Sequence, residues 1–138
     1  MNEFETALER LDPEALDFVL RLDDVMEVFS AIVEAERPFS TVFRFMEKHP
    51  GADFGVPGPI VHTLERHGGY EPALLESIRR APIKHTLWMV NRILNSNLSA
   101  RAREGWLGEL RRVAAAPDVQ MDVRAEALDY LHYQTKER

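Results

Sequence analysis

A chain of 138 residues, 45% hydrophobic and 29% charged, has ordinary globular composition and fits one domain with one core. It holds no cysteine, which excludes disulfides, thiolate nucleophiles and cysteine-held zinc or iron–sulfur centres, and no apolar run approaches the ~18 residues of a membrane span. The formal charge of −6 is unevenly spread: residues 1–36 carry eleven acids against Arg10 and Arg21, a net −9, and the remainder nets +3.

An acidic block repels nucleic acid and anionic lipid and steers basic proteins toward itself, so the expected partner is a protein, with no nucleic acid and no membrane. The start, Met1-Asn-Glu-Phe-Glu, lacks the basic residues, apolar stretch and small-residue site of a secretory signal, and the expected location is cytoplasmic.

The first helical pattern runs from Asn2 to Arg10, with Phe4, Ala7, Leu8 and Leu11 on one side. Asp12-Pro13-Glu14 then combines an N-cap, a proline suited to the first helical position and an acid favoured by the helix dipole, which predicts a helix from Pro13. Leu16, Val19, Leu20, Val25, Val28, Phe29, Ile32 and Val33 continue it at i, i+3, i+4 spacing, with a break expected at Asp23-Asp24. Pro38 ends that segment, and Phe39 to Glu47 reads as a helix with Phe39, Val42, Phe43 and Met46 on one face. Lys48 to Pro57 is a loop. Pro59 to His67 forms the next helix, stopped by Gly68-Gly69, and another follows from Tyr70 or Glu71 through Ile78. Thr86 to Asn95 is a central helix in which Asn91, Arg92 and Asn95 interrupt an apolar run. Buried amides and guanidinium groups require partners, expected here among His62, Glu65 and the Gly/Pro loop. Ser99 caps a helix carrying Trp106, Leu107, Leu110 and Val113; Pro117 breaks it, and Asp118 or Asp122 opens the last one through Leu131. No alternating strand pattern occurs, so the fold class is all-α: roughly seven helices, as stacked antiparallel pairs in a short HEAT-like solenoid or as a compact bundle. The closing Asp122-Val-Arg-x-x-Ala127 is similar to the second helix of a HEAT-type repeat.

Chemistry is thinly represented. His62 and Glu65 share a helix face at i, i+3, but His67 turns away and no HExxH motif occurs, so no metal and no cofactor is expected; a His62 hydrogen-bonded under the Gly/Pro loop is the plainer reading. Ser30, Ser40, Ser77, Ser96 and Ser99 lack a Gly-x-Ser-x-Gly elbow, and Asp23 and Asp24 lie on different helix faces, a poor arrangement for acid–base work. Arg79, Arg80, Lys84, Arg92, Arg111 and Arg112 form a basic set without a recognition-helix signature. No catalytic residue is assigned, and the expectation is a protein that is not an enzyme; a small hydrolase using His62 and Glu65 is the remaining catalytic alternative.

The middle of the chain reads Phe54-Gly-Val-Pro-Gly-Pro-Ile-Val-His-Thr-Leu-Glu65, then Tyr70-x-x-x-Leu74-x-x-Ser77, then Arg80-x-Pro82-x-x-x-Thr86-x-Trp88-Met-x-Asn91-Arg92-x-x-Asn95. This pattern resembles small helical immunity proteins of bacterial polymorphic-toxin and contact-dependent growth inhibition systems. The resemblance implies a protein that neutralises a cognate toxin by binding it, without catalysis. It carries over to Gly55, Pro57, Gly58, His62, Glu65, Trp88, Asn91, Arg92 and Asn95, whose residue types suit a scaffold: a fixed turn, a core tryptophan and polar groups knitting helices. The acidic N-terminal block, residues 1–36, is then the expected partner-binding region, with Asp17, Asp23, Asp24 and Glu27 as its contact residues. A basic toxin domain, such as a nuclease with its cationic channel, is the expected partner. A helical-repeat adaptor for another cytoplasmic protein is the alternative reading.

Overall fold

The structure, a computed structural model, describes residues 2–136. Among the described residues it has eight α-helices and no strand: α1 (Glu3–Glu9), α2 (Phe18–Glu36), α3 (Phe39–Lys48), α4 (Gly58–His67), α5 (Glu71–Arg80), α6 (Lys84–Leu94), α7 (Ala100–Ala115) and α8 (Met121–Thr135). The fold is all-α, as the periodicity predicts. None of these helices is long and apolar enough to cross a membrane. The chain divides into two compact units, Met1–Ser77 and Ile78–Arg138.

The first unit is built on aromatic rings. All seven phenylalanines of the sequence fall in it, and all are buried. Phe29 meets Phe4 edge-on with centroids 5.5 Å apart and Phe39 at 5.8 Å, while Phe18, Phe45 and Phe54 form a second set spaced 6.0 to 6.5 Å. Each such pair adds ~0.5–1.5 kcal/mol to the burial of the rings themselves. Helix α2 packs against α4 and α1, and α1 also touches α3.

Two expectations about α2 change. The helix starts at Phe18, not at Pro13: Asp12 accepts a bond from the Glu14 N–H at 3.0 Å, and the chain then makes turns closed by Ala15 N–H to Asp12 O and Phe18 N–H to Ala15 O. These turns deliver Phe18 to its aromatic partners. Nor does the helix break at Asp23-Asp24, because Leu22, Val25, Met26, Phe29 and Val33 hold one continuous buried stripe and the two aspartates point the other way.

The second unit has an aliphatic core of Leu87, Val90, Leu94, Leu107, Leu110, Val113 and Ala127, in which α7 and α8 pack on each other and both meet α6. Helix α6 opens two residues before Thr86. Buried Thr86 reaches back, its hydroxyl accepting from the Ile83 N–H at 3.3 Å and donating to the Ile83 carbonyl at 3.1 Å. Ser99 caps α7 as its sequence position predicts, accepting from the Ala102 N–H at 3.1 Å.

Candidate partner-binding surface

The Gly/Pro stretch forms a tight entry into α4. Asp53 Oδ1 accepts from the Gly55 N–H at 2.9 Å, and Gly55 has φ +93°. A Cβ on Gly55 would lie 2.6 Å from the Gly58 Cα, so the chain closes on itself where only glycine fits. Gly58 also has positive φ, and Pro57 and Pro59 flank it. His62 and Glu65 follow on α4 with exposed side chains. His62 makes no hydrogen bond with any described residue, which removes the clamp expected beneath the loop.

The α6 set is placed differently from its expectation. Trp88 is half-buried, not enclosed in the core: its ring lies 5.2 Å from the His85 ring, and the Arg92 guanidinium sits 5.2 Å from its centroid. Asn91 and Asn95 do find a partner, but it is Gln134 near the end of α8. The Gln134 amide donates to Asn91 Oδ1 at 2.7 Å and to Asn95 Oδ1 at 2.8 Å, while Arg103 of α7 donates to the carbonyls of Leu94 at 3.2 Å and of Gln134 at 2.6 Å. Three helices are thereby stitched by polar groups, with Gln134 itself buried. A legible trace existed, since Gln134 continues the spacing of Ala127 and Leu131 and so stands on the buried side of α8.

The proposed contact acids lie on α2 and at its N-cap, Asp17. Asp23, Asp24 and Glu27 are exposed on its outward face and stand in no ion pair among the described residues. Asp17 differs, because its Oδ2 accepts from the Arg21 Nε at 2.7 Å, which ties part of its charge down. Two leucines accompany these acids. Leu16 and Leu20 fit the apolar spacing of a buried face, yet they are 109% and 73% exposed. With the helix opening only at Phe18, the core face begins at Phe18 and Leu22, and Leu20 turns outward with Asp23, Asp24 and Glu27. The same unit holds a cleft of about 530 Å³ lined by Asp12, Pro13 and Glu14 together with His49, Gly51, Ala52 and Asp53.

Other constellations lead less far. Ser30 of α2 lies 3.1 Å from the His67 Nε2 and accepts from Arg66 at 3.1 Å. Its oxygen is held mid-helix between two α4 side chains, an interhelix clamp more than an activated nucleophile. No group of three or more histidine or acidic side chains placed to hold a metal ion occurs among the described residues. In the second unit Glu109 accepts from Arg79 at 3.1 and 3.2 Å and from Arg112 at 3.3 Å. Burial works against its ionisation, but the hydrogen bond and charge of Arg79, joined by Arg112, outweigh burial and hold its carboxyl below the ordinary range. Neighbouring α8 holds Tyr130, whose phenol is pushed up to about 12 by burial and by the nearby charges of Glu126 and Asp129. Comparison of the chain with family models, with curated proteins and with solved structures finds no match.

Proposed function

We propose that this protein is a binding module without catalysis, an immunity-type inhibitor that occludes a basic toxin domain through the acidic surface of α2. The observation that carries the reading is the set of Asp23, Asp24 and Glu27, all exposed on the solvent side of α2 and in no ion pair among the described residues, within the first 36 residues, which net −9. Carboxylates left open in this way project potential into solvent, where it orients an oppositely charged partner before contact. A nuclease is the toxin class such a surface would suit, because its substrate channel must be cationic. The resemblance of Phe54 to Asn95 to immunity proteins points the same way.

In that setting the partner is the polypeptide encoded immediately upstream of the gene for this protein. Changing Asp23, Asp24 and Glu27 together to lysine should slow its association at least about tenfold at low ionic strength and flatten the dependence of the rate on salt. Stopped-flow association with the purified toxin domain of that polypeptide measures both. An unaltered rate with unaltered salt dependence would place the interface elsewhere.

A further inference from the structure

The exposed leucines need an explanation that the acids do not supply. A leucine spends its apolar surface profitably only when water is removed from it, and Leu16 at 109% and Leu20 at 73% leave essentially all of that surface wet. Single exposed leucines are ordinary. Two exposed leucines spaced four residues apart, leading in sequence into the exposed carboxylates of Asp23, Asp24 and Glu27, make a patch with a defined composition.

We propose that Leu16 and Leu20 are the apolar anchors of a docking surface whose occupant is a basic protein presenting an apolar pocket rimmed by lysine or arginine. The proposal rests on the reading of α2 as the partner-binding face and adds what holds the partner once charge has brought it there. Charge selects the occupant. The unit that bears the leucines holds sixteen acids against six lysines and arginines, so anionic lipid, nucleic acid and the same face of a second copy are all repelled by it. A cationic protein surface is attracted, and the cleft lined by Asp12, Glu14 and Asp53 offers acidic room for a basic side chain in the same unit.

Charges at the edge of an interface govern association, whereas apolar side chains that enter a pocket govern release. The Leu16→Ala, Leu20→Ala double variant should therefore release the upstream-encoded toxin domain at least about tenfold faster, with its association rate and salt dependence unchanged. Its melting temperature should match that of the parent, since neither side chain packs in the core. An unchanged dissociation rate overturns the proposal, and leaves the acidic reading standing if the lysine variant still associates slowly. A partner-independent arm covers the case in which that domain does not bind at all: a random peptide library is selected on the full chain. Enriched peptides should pair lysine or arginine with a large apolar residue and bind the double variant at least about tenfold more weakly. Peptides that are acidic, or that bind both proteins equally, overturn the proposal. Sedimentation supplies the last arm, because a dimer that the double variant dissolves would make a second copy the occupant instead.

Discussion

A methyl group at position 55 has no place to go. Gly55 combines φ +93° with a 2.6 Å approach to the Gly58 backbone, so Gly55→Ala must both adopt a disfavoured backbone region and push the turn open. The expected cost is at least about 1–2 kcal/mol of stability by chemical denaturation. Gly51→Ala is the control: it lies in the same loop, meets nothing within 4 Å and should be nearly neutral. At the other end of the chain, Gln134→Ala removes the donor of two amide contacts and leaves Asn91 and Asn95 with unpaired carbonyl oxygens. Leaving such groups unmatched costs about 1–3 kcal/mol, most of it for half-buried Asn91, and the same denaturation curve reads it. Gly55 was legible in the sequence because glycine between turn residues has one dominant use. Gln134 is harder to read, because a lone amide in a polar terminal helix looks like solvent-facing surface until its register against Ala127 is counted.

Helices were recovered more faithfully than their ends. The buried faces of α3, α4, α6 and α7 follow from apolar spacing, and Ser99 marks the start of α7. The start of α2 was misplaced, since Asp12-Pro13-Glu14 carries every local mark of a helix start, and what overrides it is the tertiary demand of Phe18 for Phe45 and Phe54. Leu16 and Leu20 keep the helical apolar spacing and yet face solvent for the same reason. No local rule assigns an apolar residue to solvent. Between Arg79 and helix α7, Glu109 gives the elements a pH dependence whose sign can be worked out. Its folded-state pKa lies below the ordinary 4.5, so its ionised form is favoured by the fold; that contribution is complete above the ordinary value and is lost as pH falls through the folded one. Melting temperature followed from pH 7 downward should therefore fall on the acid side, and Glu109→Gln should show a lower plateau with a shallower acid limb. Because Arg79 is solvent-exposed, the difference is modest.

Across the whole molecule, charge is divided between the two units: sixteen acids against six lysines and arginines before residue 78, and seven against eleven from there on. The net −6 and the isoelectric point near 5.4 keep the chain anionic at neutral pH. Changing Asp23, Asp24 and Glu27 to lysine raises the formal charge by six, to zero, so the solubility minimum should move from near pH 5.4 toward pH 7. Turbidity against pH measures the shift, and a minimum that stays near its original position would mean that net charge does not set the solubility of this chain. The same titration guards the association experiment, since a variant close to its isoelectric point must be shown to be soluble before its slower binding is credited to lost steering.

The turns that bring α2 late to Phe18 have a consequence for how this surface can vary over generations. Leu16, Leu20, Asp23, Asp24 and Glu27 share a helix and its approach with Phe18, Leu22, Val25, Met26 and Phe29, yet the two groups face opposite ways. Substitution of the outward group away from special backbone sites changes stability by no more than about 0.5 kcal/mol, whereas the inward group tolerates little. The outward group can thus be rewritten residue by residue with the fold intact at every intermediate, so that the recognition proposed for it could follow a changing partner while the aromatic core records nothing of it.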